Sequence, residues 1–188
     1  GCVGRWYLGE RGRGSTRRGA DLPVWGPEGT AAFLAQLRGL YGRWVEPREA
    51  EVRPRDLQGG DTLSLGPLTI RAYAVEHSGH CLAYRVAGQG GGGICVSGDT
   101  GPCDGLTAAA RGADLLVCEC AALEHEQPEG HMRASDVGRT AAAAGCRRVV
   151  LTHLYPHVVR SRPVETVRQH FDGEVELAED GLELPVPG

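Results

Sequence analysis

The chain has 188 residues, enough for one domain with a real core, and its 41% hydrophobic and 23% charged residues are ordinary for a globular protein. No apolar run is long enough to span a bilayer, and a net charge of −4 removes any argument for nucleic acid from charge alone. Seven cysteines, odd in number and without framework spacing, point to reduced thiols in a cytoplasmic protein.

Residues 1–21 place Arg5, Arg11, Arg13, Arg17 and Arg18 among glycines, which predicts a flexible terminal segment, with a phosphate or RNA contact as its alternative use. Leu22–Trp25 reads as a short strand and Gly26-Pro27-Glu28-Gly29 as a turn. Thr30 then caps a helix to about Tyr41, with Ala32, Phe33, Leu37 and Leu40 on one side. Two prolines and several charges make 46–56 a connector.

Strands are predicted over 61–65, 68–75 and 82–87, the second alternating Leu68, Ile70, Ala72 and Ala74 on one face. The glycine run at 88–93 superficially matches a nucleotide-binding loop. A strand follows it instead of a helix, so a hairpin connection is the better reading. Ile94–Val96 forms that strand and ends in Ser97-Gly98-Asp99-Thr100. A helix over 104–111, a strand over 114–118 and a polar loop at 123–132 come next. A helix runs to Ala144 and stops at Gly145. The strand 148–152 ends at His153, Pro163 opens a helix to His170, and strands at 174–178 and 182–186 close the chain. Strand-rich first and then alternating, this order predicts an α/β or α+β fold with a mixed sheet, or two sheets packed together. The whole of 1–188 is expected to form one domain. Cys118 and Cys120 alternate onto one face of their strand, which suits packing better than metal binding.

His77, Asp99 and His153 stand at strand ends or in the loops just after them, far apart in sequence. Imidazole and carboxylate suit zinc or a similar divalent ion, and a carboxylate can bridge two ions. Locally, Asp99 is equally a turn residue that caps the next helix.

Several motifs together resemble one superfamily. They are Leu22-Pro23-Val24-Trp25-Gly26-Pro27; His77 followed by Tyr84-Arg85; Ser97-Gly98-Asp99-Thr100; Gly130-His131-Met132; and Leu151-Thr152-His153-Leu154-Tyr155-Pro156. In order and spacing over 22–188 the chain is similar to the C-terminal three-quarters of a metallo-β-lactamase-fold hydrolase. It is most similar to the branch holding tRNA 3′-processing endonuclease (ribonuclease Z) and related phosphodiesterases. The resemblance implies an αβ/βα sandwich of mixed sheets, here N-terminally incomplete, and a centre of two zinc ions, with manganese or iron as alternatives. It implies that His77 binds one ion, Asp99 bridges both, and His153 binds the other. It implies that His131 lies beside the scissile phosphate as proton donor or electrostatic stabiliser, its other reading being a polar cap before the helix. Glu119 would support these groups from behind, and Thr152 the backbone beside His153. The implied partners are a small phosphodiester or an RNA 3′ end, with no membrane and a homodimer as the candidate assembly.

The family's His-x-His-x-Asp-His run does not occur in this sequence, and the first residue is Gly. The chain is therefore expected to begin inside a longer protein. With His77 and Asp99 for one ion and Asp99 and His153 for the other, it is expected to bind metal weakly. Two functions stay open: a metal-dependent hydrolase of phosphodiesters, or a truncated or degenerate module with a structural or partner-binding role. A lactonase or another ester hydrolase of the same fold is a further alternative. The Tyr84-Arg85 pair and His131 favour phosphodiesters.

Overall fold

The computed structural model describes residues 20–47 and 50–185. The expected flexible segment therefore lies outside the described residues, apart from Ala20 and Asp21, which form a strand.

The chain divides into two compact units, the smaller comprising residues up to Trp25 together with Thr30–Arg55. Its elements are strand β1 (Ala20–Pro27), helix α1 (Thr30–Tyr41), a 3-10 turn (Gly42–Val45) and strand β2 (Ala50–Leu57), with β1 and β2 paired. The helix spans the predicted residues, but none of its side chains is buried, and Phe33 and Leu40 are exposed. Strand β2 corrects the predicted connector at 46–56. Proline removes only one donor, which an edge strand tolerates, and Pro54 sits in such a strand. Arg38 ties the unit together, donating to the Glu46 carboxylate and, at 2.7 Å, to the Val52 carbonyl.

The larger unit is built on one seven-stranded sheet in simple order: β3 (Thr62–Leu65), β4 (Leu68–Val75), β5 (Cys81–Gly88), β6 (Gly91–Val96), β7 (Leu115–Glu119), β8 (Arg148–Thr152) and β9 (Glu174–Leu177). From β3 to β6 neighbours run antiparallel; from β6 to β9 they run parallel. This is the mixed α/β fold predicted. Tight turns join the antiparallel part, and helices α2 (Asp104–Ala110) and α3 (Ala134–Ala144) supply two of the parallel crossovers. Helices α4 (Pro156–Arg160) and α5 (Pro163–Val167) lie in the third. α4 was not foreseen, and α5 is shorter than predicted. The described part of the predicted closing strand, up to residue 185, is not a strand.

The core lies where the sheet meets these helices. Ala83, Cys95, Leu116, Cys118, Val149 and Leu151 pack with Leu106, Val137, Ala141 and Val167. Gly138 lets α3 approach closely: a Cβ there would meet the Val167 carbonyl at 2.8 Å. Cys118 and Cys120 are fully buried in this core, as the alternation predicted. Burial holds the Cys118 thiol well above its ordinary range and pushes Cys120 up to about 12.

Candidate metal centre

Strand direction decides where the site forms. β6, β7 and β8 are parallel, so their C-terminal tips lie at one end of the sheet. β4 is antiparallel to β5, which is antiparallel to β6, so the tip of β4 joins the same end. Open α/β sheets bind ligands outside such carboxyl ends. His77 follows β4, Asp99 follows β6, Glu119 ends β7 and His153 follows β8.

Hydrogen bonds stitch these tips together. The Glu76 amide donates to Thr100 Oγ1 at 3.2 Å, and the Gly101 amide to the Glu76 carbonyl at 2.7 Å. The Glu119 amide donates to Ser97 Oγ at 3.0 Å, and the Cys120 amide to the Thr152 carbonyl at 2.9 Å. The Thr152 bond is made by its main-chain carbonyl.

Glu119 is the hub. Its side chain is 1% exposed. Oε1 accepts the Thr100 amide at 3.0 Å and faces His131 Nδ1 at 2.7 Å. Oε2 accepts the amides of Ala121 at 3.0 Å and Met132 at 3.2 Å. A carboxylate only accepts, so His131 carries its proton on Nδ1, and Nε2 is the nitrogen left for chemistry. Four donors on two oxygens make Glu119 a support for the loop that carries His131. Gly130 brings that loop against His77: it takes φ 72°, and a Cβ there would lie 3.0 Å from His77 Cα.

The three histidines meet. The His77 and His131 rings lie 4.9 Å apart, edge to face, and those of His131 and His153 5.5 Å apart. Ser78 Oγ is 2.9 Å from His77 Nδ1, which leaves the other ring nitrogen unpaired among the described residues. His153 Nδ1 lies 3.1 Å from Asp99 Oδ1. The pair lacks hydrogen-bond geometry, so Nδ1 is a buried nitrogen with no hydrogen-bond partner among the described residues. His153 also adopts φ 54°, in the left-handed region that among non-glycine residues favours Asn, Asp and His. Buried polar atoms left unsatisfied and backbone held in strain both concentrate at functional sites.

Ligand atoms of Glu119, His131 and His153 lie within 4.8 Å of one another, close enough to surround one ion. Glu119 already accepts three backbone amides and faces His131 Nδ1, so an ion in this group would compete with those bonds. The orphaned nitrogen beside a carboxylate fits a divalent cation. The structure thus brings His77, Asp99, His131 and His153 to one end of one sheet. His80, His125, His157 and His170 are exposed, as expected. Arg85 does not reach the site. Its guanidinium donates to the carbonyls of Gly92 at 2.5 Å, Gly112 at 3.2 Å and Ala109 at 3.5 Å, clamping the opposite end of β6. It therefore lends no support to a phosphodiester substrate. The roles of Thr100, Ser97 and Gly130 escaped the sequence, because a buried hydroxyl or a close approach has no local signature.

A family model described as a beta-lactamase superfamily domain matches residues 11–154. The chain belongs to the metallo-β-lactamase fold superfamily. Ribonuclease Z of Myxococcus xanthus is 38% identical, over 93% of this chain and 74% of that protein. An uncharacterized protein of Mycobacterium leprae is 32% identical over 88% of this chain. The crystal structure of the metallo-β-lactamase fold protein YhfI from Bacillus subtilis matches with a TM-score of 0.71 and 27% identity, covering 86% of this chain and 64% of that one. The chain spans 59% of the M. leprae relative and 56% of a Mycobacterium tuberculosis one.

Proposed function

We propose that this metallo-β-lactamase-fold chain is the sheet-and-ligand portion of a metal-dependent phosphodiester hydrolase with a dinuclear zinc centre. The observation that carries the reading is the buried, unpaired His153 Nδ1 beside Asp99, with His77 and the Glu119–His131 pair at the same end of the sheet. The M. xanthus relative carries the name ribonuclease Z, which agrees with this substrate class.

His77, Asp99 and His153 would hold the metal, Asp99 between the two ions. Bound zinc supplies Lewis acidity toward a phosphoryl oxygen and lowers the pKa of water. His131 does the proton work. Its Nδ1–H is fixed by Glu119. With that proton held on Nδ1, Nε2 is free to accept the proton that the attacking water gives up and to pass it to the departing oxygen. Glu119 keeps the ring in place through the Met132 amide, one residue along.

The test loads the protein with excess zinc and compares a dialkyl phosphodiester with a lactone. Diester hydrolysis is expected. His131→Ala should lower its kcat by about a hundredfold or more, the usual contribution of a positioned acid. Lactone cleavage without diester cleavage overturns the substrate class. Cleavage of neither favours the partner-binding reading, which the ligand count supports. The chain has seven histidines, and four of them, His80, His125, His157 and His170, are exposed.

A further inference from the structure

The ring of His77 has neighbours at both of its edges. Ser78 Oγ lies 2.9 Å from Nδ1. The Cδ2 edge meets Gly130. A Cβ built there would lie 3.1 Å from Cδ2 and 3.4 Å from Cγ, so no side chain fits between that loop and the ring. Gly101 packs on the same loop: its own Cβ would lie 3.5 Å from Gly130 Cα. The Gly101 amide also donates to the Glu76 carbonyl at 2.7 Å, which fixes the residue before His77.

An imidazole fills nearly the same space after a half turn about its Cβ–Cγ bond. That turn exchanges Nδ1 with Cδ2, and Nε2 with Cε1. The two orientations differ here in bonding. The observed one gives Nδ1 a hydroxyl partner. The turned one would set a carbon against Ser78 Oγ and leave Nδ1 toward Gly130. A hydroxyl rotates, so it can donate or accept. A neutral imidazole has one proton, and a nitrogen that binds a metal ion has none, so the other nitrogen must carry it. An Nδ1–H that donates to Ser78 Oγ therefore leaves the Nε2 lone pair available. Glu119 sets the tautomer of His131 in the same way, at 2.7 Å. No carboxylate bonds His77 among the described residues, and Ser78 stands in that place.

We infer that Ser78 is a positioning residue for His77: its Oγ accepts the Nδ1 proton, selects one ring orientation and one tautomer, and so leaves Nε2 to bind the metal ion. The inference rests on the reading of His77 as a metal ligand given above.

Two measurements test it. Long-range proton–nitrogen NMR of the metal-free chain, above about pH 8 where imidazole is neutral, reads the tautomer directly. His77 is expected to carry its proton on Nδ1, and Ser78→Ala to move part of it to Nε2. Competition with a chromophoric chelator gives the zinc affinity. Ser78→Ala should weaken it about tenfold, the lower end of the usual loss when the partner of a metal-binding histidine is removed. Ser78→Thr keeps the hydroxyl and should restore both readouts. Ser78 is exposed, so neither variant should disturb folding, which matched thermal melts check. A wild-type His77 protonated on Nε2 overturns the inference. So does a zinc affinity that falls with His77→Ala but not with Ser78→Ala. A zinc affinity indifferent to His77→Ala itself overturns the metal-centre reading, and this role of Ser78 falls with it.

Discussion

Glu119 illustrates how one residue organises a centre without joining its chemistry. Its two oxygens accept three backbone amides and face His131 Nδ1. Replacing it by Gln turns one acceptor into an NH₂ group that must face buried N–H donors. Glu119→Gln is expected to cost about 2 kcal/mol, the scale of charge-assisted hydrogen bonds lost in a buried site. In a chain of this size that is a fall in Tm of roughly 4–8 °C, checked by thermal melts. A variant that melts like the wild-type protein would remove Glu119 from the role of hub. At this scale the sequence was partly legible. His77, Asp99 and His153 stand out because each follows an apolar strand. Ser97, Thr100 and Gly130 do not. Their importance lies in the tip each one touches, which depends on strands far away in the chain.

Among the elements, α3 shows local design most clearly. Asp136 lies in its first turn and accepts the Arg133 amide at 3.2 Å and Arg133 Nε at 2.7 Å. Arg139 donates to its other oxygen at 2.7 Å. Burial alone would raise its carboxyl; the hydrogen bonds from Arg133 and Arg139 outweigh burial and hold it below the ordinary 3.8. A carboxyl with a lowered folded-state pKa stabilises the fold above its unfolded value and stops doing so as pH falls through the folded one. Asp136→Ala should therefore cost about 1–2 kcal/mol at pH 7, as a lost cap does, and the gap from wild type should close below about pH 3.8. Melts of both proteins across that range check the size and the sign. The elements that were missed have physical reasons too. β2 holds Pro54, which reads as a break until the strand is seen in its two-stranded sheet. α4 has five residues, too few for a helical period to show. α1 was predicted over the right residues, yet its apolar positions are not buried. Periodicity announces a face, and only the fold says whether that face is covered.

For the molecule as a whole, the consequence is a site gathered from residues 77 to 153 at one end of a single sheet. No described helix is long and apolar enough to cross a membrane. The donor count predicts weak metal binding: two of His77, Asp99 and His153 for each ion, where stable sites use three or four ligands. Native mass spectrometry of this chain after exposure to several-fold excess zinc and removal of the unbound metal should find fewer than two ions per chain. Two retained ions would show that His131 or another group completes the coordination. Element types, the mixed α/β class and the superfamily could be determined from the sequence by itself, because hydrophobic periodicity, glycine stops and short motifs are local properties. Only the tertiary structure decided that Glu119 also gathers the amides of Thr100, Ala121 and Met132, that Arg85 belongs to the far end of β6, and that Tyr155 extends the row of histidines. Those facts depend on which strand tips share an end of the sheet. Strand direction and pairing set that, and no single stretch of chain contains it.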